Sequence, residues 1–336
     1  MEATVIDLAS YLRTDQEFRI RVLFKLTHGS SDTRNLIRHC DEKGIRPYFS
    51  KSASRDLLKH LLWTDIVHAN NAPPDVVFTS KMLNKPVALT IHHQGKTSNP
   101  IRRQLWYWSN RLADIRCYNS KFVRNTWEPH ADLPNSYTVP TMTGLPAFKK
   151  SAEDKSGFFF ISRWIKNKGV KTLINAYQTA NIDHEKWPLT MAGEGPLQDE
   201  VKTLIREQNL KTVHILGYIT EKEKYHQIRK AKWLVAPPDT KEDLGLTPIE
   251  ARSQGIPSIV TLDGGLPEAA GRAAITCTPG STESLSRALE HVTQMSESEY
   301  QKRCELAYNS LSSYLYPFSF YKKLYSTLID KGDSVV

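Results

Sequence analysis

The chain has 336 residues, 40% hydrophobic and 24% charged, enough for two ordinary domains with a core in each, which excludes a disordered or fibrous protein. Lys and Arg outnumber Asp and Glu by nine, and the surplus is confined to residues 1–150, with 22 basic against 13 acidic side chains; residues 151–336 hold 23 of each. No apolar run reaches the roughly eighteen residues of a spanning helix, and the opening residues lack the basic-then-apolar order of a secretory signal, so a cytoplasmic protein is expected.

From Arg19 onward, short β-branched runs alternate with helix-like segments. "RIRVLFKL" precedes "DTRNLIRHCDEKG", "TDIVHAN" precedes "APPDVVFTSKMLNK", "PVALTIHH" precedes "NPIRRQLWYWSNRLA", and "ADIRCYNS" precedes "KFVRNTWEP". Such alternation implies a parallel sheet with helices on its faces. The order breaks at "VPTMTGLPAFKKSAEDKSG", which places a domain boundary near Thr141 to Lys155. It then restarts: "FFFISR", "LTMAGEG", "VHILGYI", "WLVAP" and "PSIVT" are the strands, with helical segments between them. The expected architecture is α/β, two doubly wound parallel-sheet domains facing a deep cleft, with ligands beyond the carboxyl ends of the strands.

The loops leaving the strands of the second half carry the chemistry. "ISRWIKNKGV" offers Arg163 and Lys168, a planar fork and a point charge suited to a diphosphate. "MAGEGPL" places Gly193 and Gly195 before a helix expected to open at Pro196, where backbone amides can approach a ligand. In "KEDLGLTPIEARSQG", Thr247 reads as a helix cap with Glu250 completing a capping box, which gathers the amides of Leu244, Gly245 and Leu246 at a helix entrance that attracts phosphate. Glu242 stands before the glycine turn at a strand's carboxyl end and is expected to point into the cleft. "TLDGGLPEAAG" adds another glycine turn, with Glu268 beyond it.

Cys40, Cys117, Cys277 and Cys304 are scattered, with no C-x-x-C pair and no His at ligand spacing, so free thiols and no metal site are expected. The basic first half implies an anionic counterpart: a membrane surface, an acidic glycan or a nucleic acid. "KTSNPIRRQLWYWSNR" crowds Arg102, Arg103 and Arg111 around Trp106, Tyr107 and Trp108, which suits either an anionic membrane interface or an ordinary packed helix. No RNA- or DNA-binding module is recognisable, and no nucleic-acid partner is expected.

Taken in order, Arg163 and Lys168, "GEGPL", "ILGYI", the Glu242/Glu250 pair and "GGLPE" resemble the retaining glycosyltransferases of family four, the glycosyl transferases group 1, which have the GT-B fold. The likeness is strongest over residues 158–271. It is weaker in the first half, where a single Gly29 in "LTHGSSD" stands for the usual glycine pair. The resemblance implies an acceptor-binding domain over residues 1–148, a donor domain over 149–315, and a last helix at 316–336 crossing back to the first domain.

It also implies metal-independent transfer of a sugar from a UDP- or GDP-linked donor to a glycan or lipid-linked saccharide in surface polysaccharide assembly, with no cofactor beyond the donor. In that pattern Glu242 contacts the donor sugar, Glu250 the ribose, Arg163, Lys168 and the amides at Gly245 and Leu246 the diphosphate, and the backbone at Tyr218 and Ile219 the base. Gly193, Glu194 and Gly195 line the donor pocket, His92 lies near the transferred sugar, and Gly29 closes over the diphosphate. Apart from the resemblance, the basic and aromatic residues Arg102, Arg103, Trp106 and Trp108 are the expected membrane or acceptor face; a membrane face would place the protein peripherally at the inner membrane surface. The alternative is a non-catalytic protein that binds nucleotide sugars, or nucleic acid through its basic half.

Overall fold

The computed structural model describes residues 2–15, 17–26, 33–130, 133–142, 144–149 and 154–333. The chain divides into two compact units, one of Met1–Gly144 with Leu315–Val336 and one of Leu145–Tyr314.

The first unit begins with α1 (Glu2–Arg13), a helix that sequence reading passed over, and continues β1 (Val22–Lys25), α2 (Arg34–Glu42), β2 (Pro47–Ser50), α3 (Arg55–Trp63), β3 (Val67–Asn70), α4 (Pro74–Met82), β4 (Val87–Ile91), α5 (Pro100–Leu112), β5 (Ile115–Tyr118), α6 (Lys121–Trp127) and β6 (Ser136–Thr138). Strands β3-β4-β5-β6 form a parallel sheet in chain order, and β1 pairs with β2 in a parallel ribbon. Strand β4 is buried along its whole length, and its alternation divides two cores: Val87, Leu89 and Ile91 join one, Ala88 the other.

The second unit runs β7 (Phe158–Ile161), α7 (Val170–Thr179), β8 (Leu189–Ala192), α8 (Gln198–Glu207), β9 (Val213–Gly217), α9 (Glu221–Lys230), β10 (Trp233–Ala236), α10 (Leu246–Ser253), β11 (Ser258–Thr261), α11 (Leu266–Ala270), β12 (Ile275–Cys277), α12 (Thr282–Thr293) and α13 (Glu297–Asn309). Its six parallel strands lie in the order β12-β11-β10-β7-β8-β9. Phe158 and Phe160 face one core, with Trp233 and Tyr177, while Phe159 faces the other, with Leu234 and Ala251. Apolar residues at every position of β7 therefore reflect a strand covered on both faces.

The last helix, α14 (Phe318–Asp333), belongs to the first unit. Tyr321, Leu324, Tyr325 and Leu328 pack with Leu8 and Leu12 of α1 over Ala88, Ile115 and Cys117. Beneath it, His68 of β3 is held by Tyr325 Oη at 2.5 Å and Thr90 Oγ1 at 2.7 Å. Burial pushes the imidazole's pKa down to about 4, so His68 is packed as the neutral form. The four cysteines are free and buried.

Because an unfolded histidine titrates near 6.5 and His68 near 4, the unfolded chain takes up the proton first as pH falls, and the stability His68 contributes above pH 6.5 is lost between those values. A shift of this size corresponds to on the order of 3 kcal/mol over the whole window. Melting temperatures should therefore fall from pH 7 to pH 5. His68→Gln should make that slope shallower, and an unaltered slope would show that His68 titrates normally.

Candidate active site

In the second unit the chain runs outward through β7, β8 and β9, then returns to the other side of β7 for β10, β11 and β12. The order reverses between β7 and β10. Connections leaving two such strands diverge, and parallel sheets bind their ligands at that point.

Here the loops after β7 and β10 touch through their main chains. Gly169, with φ of 69°, lies so close to β10's exit that a Cβ would sit 1.7 Å from the Pro237 carbonyl oxygen. The Asp239 amide donates to the Asn167 carbonyl at 3.2 Å, and Thr172 Oγ1 donates to Asp239 Oδ1 at 3.0 Å. Across this junction Lys168 Nζ donates to Glu242 Oε1 at 2.5 Å, with 28% and 24% of the two side chains exposed. The Glu242 main chain is fixed in turn by the Gly265 amide, which donates to its carbonyl at 2.7 Å. Two residues distant in sequence thus form one ion pair at the sheet's reversal. Arg163 shares the Lys168 loop and is exposed. Between them the fully buried Trp164 anchors the loop, its amide donating to the Glu194 carbonyl and its Nε1 to the Ala192 carbonyl.

On the β8 side, Gly193 has φ of 116°, and a Cβ there would lie 1.8 Å from the Ser162 carbonyl oxygen, so only glycine fits beside the β7 exit. Its neighbour Glu194 accepts the Tyr218 amide at 3.3 Å, which ties the Gly193–Gly195 turn to the end of β9. Tyr218 is 78% exposed, and Ile219 packs against the core around Tyr225 and Ile228.

Two local expectations are corrected. Helix α10 starts at Leu246 with Gly245 as its cap at φ of 97°, so Thr247 lies inside the helix and no side chain caps it. The left-handed glycine starts the helix before Thr247 is reached. Helix α8 likewise begins at Gln198, two residues past Pro196. The capping-box role of Glu250 falls with the first correction. Its carboxylate is buried and bound to Lys224 Nζ of α9 at 2.7 Å. Leu244 is buried and Leu246 exposed on either side of the Gly245 turn.

Lys224 is the residue that sequence reading missed. Thr220 caps α9 and so sets which face turns inward, but a lysine in "TEKEKYHQ" reads as solvated. Burial opposes its charge, yet the attraction of Glu250 and Glu221 prevails and its pKa is raised. Burial also pushes the Glu250 carboxyl up, against the pull of Lys224. Glu250 Oε2 is buried with no hydrogen-bond partner among the described residues, an acceptor that a ligand hydroxyl could satisfy.

In the first unit, His92 follows β4 with its amide donating to Asn71 Oδ1 at 2.9 Å and its Nε2 bonded to Asn70 Oδ1 at 3.0 Å. Burial lowers its pKa to about 4, which leaves a neutral imidazole suited to accepting or donating one hydrogen bond. His93 turns elsewhere, packing on Trp106 and Trp127 at ring separations of 4.9 and 5.8 Å. Trp106 therefore leaves the outward face assigned to it: its ring joins Trp127, and Arg102 lies over it at 4.5 Å. Trp108, Arg102 and Arg103 are exposed. Gly29 lies outside the described residues. Among the described residues no three His, Cys, Asp or Glu side chains are grouped to hold a metal ion, and no helix is long and apolar enough to cross a membrane.

Residues 145–309 match the family model described as glycosyl transferases group 1, and residues 1–141 match glycosyltransferase family 4. The chain is a family-four-like glycosyltransferase of the GT-B fold. Among curated proteins, this glycosyltransferase is 26% identical to a glycogen synthase of Mycobacterium tuberculosis over 270 residues, covering 74% of the chain and 64% of the relative. The match thus spans less than two thirds of that relative's length. Among solved structures it is similar to Anabaena Alr3699/HepE in complex with UDP, with a TM-score of 0.80 and 15% identity over 98% of this chain and 96% of that one. It is also similar to the lipopolysaccharide outer core galactosyltransferase WaaB, with a TM-score of 0.71 and 16% identity over 97% and 95%. At these identities the structural likeness establishes the fold.

Removing the cation from a buried pair leaves an uncompensated carboxylate, which destabilises by roughly 3–5 kcal/mol. Lys224→Met should show that loss in denaturant unfolding at pH 8. It should show less at pH 5, because a carboxyl whose folded pKa is raised above its unfolded value is stabilising only while protonated. Adding Glu250→Gln should recover much of the deficit. A single variant with wild-type stability at pH 8 would rule out the buried pair.

Proposed function

We propose that this glycosyltransferase moves a hexosyl group from a UDP- or GDP-linked donor to a glycan or lipid-linked saccharide acceptor, with retention of anomeric configuration and without a metal ion, in the assembly of a surface polysaccharide. The observation that carries the reading is the Lys168–Glu242 pair at the β7/β10 reversal, with Arg163 in the same loop and the amides of α10 starting at Leu246. UDP in the HepE complex and the lipopolysaccharide role in the name of WaaB support the donor and acceptor classes.

The departing nucleoside diphosphate accumulates negative charge as the glycosidic bond lengthens, and fixed donors aimed at it lower the barrier most directly. Arg163, Lys168 and the amides at Gly245 and Leu246 fill that role. Glu242, held by Lys168, faces the sugar, where a carboxylate stabilises the positive charge of an oxocarbenium-like centre. The acceptor hydroxyl attacks on the face that the diphosphate leaves, and a diphosphate oxygen takes its proton, so no side chain needs to act as nucleophile. This sets Glu242 and Glu250 apart from the paired carboxylates of glycoside hydrolases. Glu250 instead offers its unpartnered Oε2 to the ribose.

Titration calorimetry with UDP and GDP in the presence of EDTA tests the donor site: one nucleotide should bind, and Lys168→Ala should weaken it about tenfold or more. Glu242→Ala should reduce transfer by about 100-fold or more while leaving the melting temperature and nucleotide binding near wild type. Binding of neither nucleotide, or wild-type turnover in Glu242→Ala, would overturn the assignment. Proton NMR of the first product formed should show the donor's anomeric configuration, and an inverted product would refute retention.

A further inference from the structure

Helix α5 is clamped on one side and bare on the other. Asn99 Oδ1 caps it by accepting the Arg102 amide at 3.0 Å, and Trp106, Ser109 and Asn110 are its inward residues. Its carboxyl end is gripped by the buried Arg116, whose guanidinium donates to the carbonyls of Asn110, Arg111, Ala113 and Pro134 at 2.5 to 2.9 Å. What the helix presents outward is thus held in place.

The bare side is apolar. Ile101, Leu105, Trp108 and Leu112 are 72%, 40%, 47% and 38% exposed. At 3.6 residues per turn this spacing confines all four to an arc of roughly 60°. Arg102 and Arg111 project about a quarter-turn to either side of the stripe, and from Lys96 to Ala113 there is no Asp or Glu. Sequence reading singled out Arg102, Arg103, Trp106 and Trp108. The structure removes Trp106, which packs inward, and adds three aliphatic side chains.

We infer that this face of α5 docks on an anionic lipid bilayer, with Ile101, Leu105, Trp108 and Leu112 entering the headgroup region and the flanking Arg102 and Arg111 meeting lipid phosphates. The chemistry favours that occupant over the others. Aliphatic side chains offer nothing to a nucleic-acid backbone, whereas an interfacial helix needs an apolar face flanked by cations, with its Trp at headgroup depth. A second copy of the chain would bring the same two flanking arginines against one another with no carboxylate from residues 96–113 between them. The surplus charge of the first 150 residues adds attraction to a negatively charged leaflet. The inference goes beyond the transfer reaction and does not depend on the identity of the donor or acceptor.

Co-sedimentation of the full chain with vesicles of phosphatidylcholine alone, and of phosphatidylcholine with phosphatidylglycerol, tests it. Binding to the mixed vesicles should be about tenfold stronger or more, and should weaken with added salt. Ile101→Ser/Leu105→Ser should lose that binding about tenfold or more, with unchanged melting temperature and unchanged UDP or GDP titration. Arg102→Gln/Arg111→Gln should abolish the preference for phosphatidylglycerol. No vesicle binding, equal binding to both vesicle types, or apolar variants that sediment like wild type would overturn the inference. So would a lipid-free dimer that the Ile101→Ser/Leu105→Ser variant dissociates.

Discussion

Main-chain contact between the loops leaving β7 and β10 is the constraint on which the second unit depends. Where Gly169 meets the Pro237 carbonyl there is no room for a side chain, so the two connections lie in direct main-chain contact. The closeness has a chemical result. Lys168 and Glu242 come from segments separated by three strands in sequence, yet they share a hydrogen bond because the backbone beneath them is already joined. A long lysine pairing with a glutamate on independent loops would lose most of that interaction to side-chain freedom. On joined loops less of that freedom has to be lost for the pair to form.

Buried charge is handled in two different ways. Arg116 and Arg252 are almost wholly enclosed and form no ion pair with a carboxylate among the described residues; each donates to carbonyls at helix ends, Arg116 at α5 and Arg252 to Ala269 of α11 and Ala307 of α13. Their cations meet the negative end of helix dipoles and satisfy carbonyls that no helical amide reaches. These arginines are structural. The Lys224–Glu250 pair differs because its cation is met by a carboxylate, one oxygen of which has no hydrogen-bond partner among the described residues.

Much of this was legible in the sequence because both kinds of signal were local. Short β-branched strands alternating with amphipathic helices specified the parallel sheets, and glycines at strand exits marked the turns of the site. What escaped reading was long-range. Nothing in "TEKEKYHQ" distinguishes the lysine that enters the core from those that stay in water, because its burial is decided by α10 packing against α9. Thr247 had the right chemistry for a cap, but Gly245 turned the chain two residues earlier. Trp106 and Trp108 are two residues apart on one helix and so face different ways, one into the His93–Trp127 cluster and one into solvent. Composition could identify the aromatic segment but not divide it.

The position of α14 bears on how the molecule is made. One face of the first unit's sheet is covered by a helix that the ribosome delivers only after the whole of residues 145–314. During synthesis the second unit can close its own cores, while Ala88, Ile115 and Cys117 still await their cover. The nascent first unit therefore carries an open apolar surface for the time taken to translate some 170 residues, roughly ten to thirty seconds at ordinary elongation rates. Through that interval it is a natural client for a chaperone, and a chain that loses α14 would remain one.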